Sequence, residues 1–99
     1  MKPYDIDTII NQKRFRTSSS TLVAHDAYQD DRGCYERDGQ NKFLYRTQRG
    51  AYWIVEQLGR GRAQCEELDI DGALNAYELL AVKELAFGEA FPGVEVQTA

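Results

Sequence analysis

The stretch KFLYRTQRGAYWIVEQLGR, residues 42–60, carries the clearest pattern in this 99-residue chain. Phe43, Tyr45 and Thr47 alternate with Leu44 and Arg46. After a polar Thr47-Gln48-Arg49-Gly50 break, Ala51, Trp53 and Val55 alternate with Tyr52, Ile54 and Glu56. A period of two marks a strand with two distinct faces. Gly50 is free to take positive φ, so the break reads as a short loop. The stretch is therefore expected to be an antiparallel hairpin in the middle of a sheet.

Residues 8–16, TIINQKRFR, read as another hairpin, turning at Asn11-Gln12, where Asn tolerates the left-handed backbone of a tight turn. The polar TSSS, residues 17–20, can cap a helical turn. TLVAHDAY, residues 21–28, is rich in β-formers and reads as a strand. Residues 29–41, QDDRGCYERDGQN, read as loop, with a short strand around Cys34, Tyr35 and Glu36. GRGR, residues 59–62, makes a further turn, and AQCEELD after it a more polar strand nearer an edge.

The helix begins after Leu68. Asp69 can accept from the free amides of the first turn, and Asp71 adds negative charge where the dipole favours it. Ile70, Ala73, Leu74, Tyr77 and Ala81 follow the spacing of a buried stripe, while Asn75, Glu78 and Glu84 face water. The helix is expected to fade between Val82 and Gly88. FPGVEVQTA then reads as an extended tail that docks through Phe91 and Val94. The fold class is α+β: an antiparallel β-meander of about five strands with one amphipathic C-terminal helix packed on one face. With a single helix, the other face is expected to stay partly open.

The totals agree with one domain over residues 1–99, with 1–7 and 95–99 the loosest parts. The chain is 42% hydrophobic and 28% charged, an ordinary globular balance. No apolar run approaches the ~20 residues of a membrane span. The opening MKPYDIDTII has no long apolar stretch and does not read as a signal peptide, so a cytoplasmic setting is expected.

Little points to chemistry. Cys34 and Cys65 are not in a Cys-x-x-Cys pair and His25 is the only histidine, too few for a four-ligand zinc site. On a strand His25 and Asp26 point to opposite faces, and a Cys34–His25 pair would need the loop to fold back. DIDG, residues 69–72, is similar to part of a calcium loop, but Ala73 and Leu80 stand at the fifth and twelfth ligand positions. The GRG turn lacks the Lys-Ser or Lys-Thr of a phosphate loop. No catalytic residue, metal ligand or cofactor is expected.

The order of IINQKRFRTSSSTLVA, FLYRTQRGAYW and LDIDGALNAYELL resembles a family of small proteins common in bacteria, phages and plasmids, over residues 8–82. Asn11-Gln12 stands where many relatives have a Gly turn, and Asp69 where they often carry Ser; both keep the same backbone role. The family has no established catalytic activity. The resemblance implies an accessory protein of a mobile element that works by binding.

Charge is distributed unevenly along the chain. Residues 1–62 hold eleven Lys or Arg against eight acids, a balance of +3; residues 63–99 hold only Lys83 against eight acids, a balance of −7. The leading expectation is protein contact. Tyr45, Arg46, Arg49 and Tyr52 have the composition of interface hot spots. Glu66, Glu67, Asp71 and Glu78 would add an acidic ridge fit for a basic groove. Such a ridge would suit an inhibitor of a host defence complex such as a CRISPR effector. The alternative is a nucleic-acid-binding sheet using the Arg and Tyr of the central hairpin, with phosphate contacts from Lys13, Arg14, Arg16, Arg60 and Arg62. A net charge of −4 weighs against it. An exposed edge strand would also allow a homodimer.

Overall fold

The central hairpin forms as its alternation dictates. In the computed structural model, which describes residues 3–26 and 41–96, β4 (Asn41–Thr47) pairs antiparallel with β5 (Tyr52–Gly59), setting Tyr45 opposite Trp53 and Leu44 opposite Ile54. Gly50 closes the loop at φ 86°. Thr47 anchors it: its N–H donates to Ala51 O at 2.8 Å and its hydroxyl accepts from Ala51 N–H at 3.0 Å.

Around this pair lie β3 (Ser20–His25) and β6 (Arg62–Leu68). A two-residue strand, β7 (Val82–Lys83), completes a sheet of order β6-β5-β4-β3-β7, antiparallel throughout. The β5–β6 turn places Gly59, Arg60 and Gly61 all at positive φ. A bulge between Leu22 and Ala24 turns both Val23 and Ala24 toward the helical side. The fold is α+β.

The first hairpin, β1 (Asp7–Ile10) and β2 (Lys13–Arg16), is a separate two-stranded sheet. Asn11 and Gln12 take φ 53° and 65°, the left-handed pair of a tight hairpin turn. Instead of extending the meander, the hairpin lies across the face away from the helices. Phe15 enters that face and meets Trp53 at a ring distance of 5.4 Å, while Tyr45 stacks on Trp53 at 5.2 Å. Phe15, Phe43, Tyr45, Trp53 and Val55 make a buried cluster there. The open second face expected from the sequence is thus covered. A hairpin with one large aromatic on its inward side is enough, because the strands beneath it supply the rest of the apolar surface.

The opposite face carries α1 (Ile70–Leu79). Asp69 caps it, accepting from Gly72 N–H at 2.7 Å. Ala73 and Tyr77 are buried, but Ile70 is 45% exposed and Ala81 lies beyond the helix. The helix stops earlier than its periodicity predicts. Leu80 turns extended, with φ −79° and ψ 128°, and is itself buried. The bulge explains the stop: Val23 O accepts from both Glu84 N–H (2.9 Å) and Leu85 N–H (3.2 Å), drawing the chain onto the β3 edge as β7. The tail then makes a second short helix, α2 (Phe87–Ala90). Phe91 follows, 1% exposed, stacked on Tyr52 at 5.0 Å and edge-on to Tyr77 at 5.4 Å. Val94 packs against the same cluster. At the other terminus, Tyr4 N–H donates to Gln57 Oε1 at 2.7 Å and Ile6 N–H to Thr17 Oγ1 at 3.0 Å. The strand expected around Cys34 lies outside the described residues.

Each face therefore depends on one inserted aromatic, Phe15 on one side and Phe91 on the other. Phe15→Ala and Phe91→Ala should each lower unfolding free energy by about 3–5 kcal/mol in urea titrations. A negligible loss for Phe15→Ala would mean that the hairpin does not close its face.

Candidate functional site

The central-hairpin residues that composition marked for contact are distributed by the pleat. Tyr45 and Tyr52 lie on opposite faces, 4% and 7% exposed. Burial first, then the nearby Asp5 and Cys65, push the Tyr45 hydroxyl up to about 12. The Tyr52 hydroxyl donates to Ala90 O. Arg46 reaches the same place: its Nη1 donates to Glu89 O and, at 3.0 Å, to Ala90 O. It thereby satisfies carbonyls at the end of α2 that have no helical partner. Arg49, on the loop, is exposed, and among the described residues no hydrogen bond or ion pair engages it.

The acidic residues do not share one surface either. Glu66 and Glu67 are neighbours on β6 and so point to opposite faces. Glu67 is held by the first hairpin, accepting from Asn11 Nδ2 at 3.1 Å and Lys13 Nζ at 3.0 Å. Those two hydrogen bonds hold its carboxyl below the usual glutamate range. Asp71 and Glu78 are exposed on α1, and Glu66 looks toward α1 from the sheet. His25 stacks on Phe43 and sits 2.8 Å from Glu84 Oε2, joining β3 to the segment after β7. Cys34 lies outside the described residues. Burial pushes the Cys65 thiol up, away from the reactive thiolate.

What the structure does bring together is a cleft beside α1. Ten helical residues rise only about 15 Å, whereas the eight residues of β5 run about 26 Å. The helix follows directly on the Leu68 end of β6 and is shorter than the strands beneath it, leaving part of the sheet uncovered. The resulting cleft of about 780 Å³ has Ile54, Leu68, Ala76, Leu79 and Leu80 on its apolar walls. Lys42, Glu56, Gln64, Glu66 and Asn75 supply its polar rim. Leu79 is 76% exposed at the mouth. Of the contact residues expected from the sequence, only Glu66 lines it. Ile54, Glu56, Gln64 and Leu79 are not singled out by the sequence reading, although their signal is present: Ile54, Glu56 and Gln64 are helix-side positions of β5 and β6 that a short helix leaves uncovered, and Leu79 is the last residue of that helix.

A second groove of about 690 Å³ separates the first hairpin from the β4–β5 loop, with Lys13, Arg14, Arg16 and Arg49 among its lining residues. Three of these cations already have carboxylate partners, two of them sharing one. Arg14 grips Asp7 through two hydrogen bonds of 2.8 Å, Arg16 adds a 3.5 Å contact to the same carboxylate, and Lys13 holds Glu67. The Arg14 hydrogen bond holds the Asp7 carboxyl below its ordinary range.

No family model, curated protein or solved structure matches the chain. Among the described residues no helix is long and apolar enough to cross a membrane.

The two arginines of the hairpin should separate cleanly on mutation. Arg46→Ala should destabilise the fold by about 1–2 kcal/mol, because carbonyls at the end of α2 lose a charged donor. Arg49→Ala should leave the denaturation midpoint within error of the parent. Equal midpoints for the two variants would contradict the assignment of Arg46 to the fold.

Proposed function

We propose that this chain is a non-enzymatic binding protein acting by protein contact, with the cleft between α1 and the β5–β6 end of the sheet as its docking surface. The observation that carries the reading is an apolar-walled concavity whose mouth holds a Leu79 that is 76% exposed. An apolar centre ringed by polar groups is the anatomy of a protein interface. Glu66 on the rim, with Asp71 and Glu78 on the helix, favours a partner segment that pairs apolar with basic side chains, while the rim's Glu56 already faces Lys42 at 3.9 Å. The resemblance noted above extends the proposal to its setting: a cytoplasmic accessory protein of a mobile element, inhibiting a host defence complex such as a CRISPR effector.

Direct nucleic-acid binding is the second reading, and the groove lined by Lys13, Arg14, Arg16 and Arg49 is what favours it. The ion pairs to Asp7 and Glu67 and the overall charge of −4 weigh against it. Steep loss of binding with added salt marks phosphate contact, whereas an apolar interface changes little.

Leu79 offers a test that spares the fold, since its side chain is mostly in water. Leu79→Asp, which sets an acid in the last turn of α1, should cost the fold no more than about 1 kcal/mol and lose at least tenfold in affinity for a partner captured from the host and purified, a loss typical of a hot-spot residue. Unchanged affinity in this variant, with Arg49→Ala binding weakened instead, would move the docking surface to the basic groove.

A further inference from the structure

The outer side of β6 is the longest unpaired strand edge in the described residues, because the opposite edge is the two-residue β7. Which backbone groups it offers follows from the ladder. On β4, Lys42 O accepts from Asp26 N–H on the β3 side (3.2 Å), while Thr47 N–H donates to Ala51 O on the β5 side (2.8 Å). Even positions of β4 thus bond β3 and odd positions bond β5, as antiparallel pairing requires. Through the register Tyr45↔Trp53 and Ile54↔Glu66, odd positions of β5 bond β4 and even positions bond β6. Gln64, Glu66 and Leu68 then bond inward. The N–H and C=O groups of Ala63, Cys65 and Glu67 point out of the sheet. No proline interrupts the strand, RAQCEEL, so nothing in its backbone blocks pairing.

We infer that this edge pairs with the same edge of a second copy of the chain, antiparallel across a two-fold axis at Cys65. That register overlaps the whole of Arg62–Leu68 and uses every outward N–H and C=O of the strand. It sets Gln64 opposite Glu66 twice, an amide donor beside a carboxylate, and Ala63 opposite Glu67. Arg62 meets Leu68, so no two like charges face each other. Sliding one step toward the C-terminus would set Glu66 against Glu66, a repulsive cross-strand pair. Sliding the other way pairs Arg62 with Glu66 but sets Gln64 against Gln64, shortens the overlap and places Glu67 opposite Gly61, which the turn holds at φ 77°. The central register is the one that overlap selects. It is isologous, so it closes at two copies.

The axis stands normal to the sheet, so both α1 helices lie on one side of a continuous sheet. Gln64 and Glu66, which line the cleft, border the axis, so the two clefts run together into one trough. The trough rests on the docking reading above; the strand pairing does not.

The test uses the full chain with Cys34→Ser, so that Cys65 is the sole thiol. Sedimentation equilibrium from micromolar to submillimolar concentration should show the mass rise from 11.3 kDa toward twice that value. Directly opposed residues in a hydrogen-bonded pair stand about 5.5 Å apart, within disulfide reach, so diamide oxidation at alkaline pH, where the raised Cys65 thiol also ionises, should trap a Cys65-linked dimer. Gln64 is exposed and its changes spare the core. Gln64→Lys, facing Glu66, should tighten the dimer about fivefold and Gln64→Glu weaken it about fivefold. Leu79→Asp should leave the mass equilibrium unchanged, which keeps this result separate from partner docking. A monomer across the whole range would overturn the inference. So would Gln64→Lys and Gln64→Glu shifting the equilibrium in the same direction, or the absence of a Cys65 cross-link.

Discussion

The structure depends on the way the β4–β5 pair divides its side chains between two cores. Period-two alternation sends Phe43, Tyr45, Trp53 and Val55 to one face and Leu44 and Tyr52 to the other. Neither face can be left to water, because each holds large aromatic surface and burying it is the main source of stability in a domain this small. Two covers are therefore required, and the chain supplies one from each end. The N-terminal hairpin inserts Phe15 over Trp53, and the C-terminal segment brings Tyr77 and Phe91 over Tyr52. Local pattern, packing and the position of both termini follow from that division.

The covers differ in extent, and the candidate binding surface lies in the difference. The hairpin is fastened beyond its core contact by Lys13 and Asn11 on Glu67. On the helical face, the bulge at Val23 ends α1 early by drawing the following chain onto β3. A shortened helix leaves Ile54 half-covered and Leu79 in water, and a cleft opens between them. The same geometry leaves β6 without a strand neighbour on its outer side among the described residues. Docking and self-pairing would thus both use the end of the sheet that the two covers do not reach.

Much of the fold was legible because it rests on local chemistry. The central alternation, the left-handed turn at Asn11-Gln12, the Gly50 loop, the Asp69 cap and the edge position of β6 each follow from a few adjacent residues. The parts that were not legible are long-range. Helical periodicity continues to Ala81, but the competing acceptor that stops the helix is Val23 O, far away in sequence. Nothing near Arg46 announces that its guanidinium will cap the end of α2, more than forty residues on. The placement of the first hairpin over the second face depends on Phe15 meeting Trp53, a pairing no local pattern encodes. The candidate site shares that limit: its polar rim could be guessed by charge, its apolar walls only from the length of the helix against that of the strands.

The aromatic residues of the opening stretch are accordingly parts of two cores, and the search for function moves to surfaces the cores leave over. Trp53, the chain's single tryptophan, reports on that claim directly. It is fully buried, its Nε1–H donates to Ser20 Oγ at 3.1 Å, and the first hairpin shields it from solvent. The decisive measurement is tryptophan fluorescence of the native protein under acrylamide titration. Blue-shifted emission with little quenching is expected until the chain unfolds. Emission like that of indole in water, quenched freely in the native state, would mean the hairpin does not cover the sheet, and the central aromatics would again be an open contact surface.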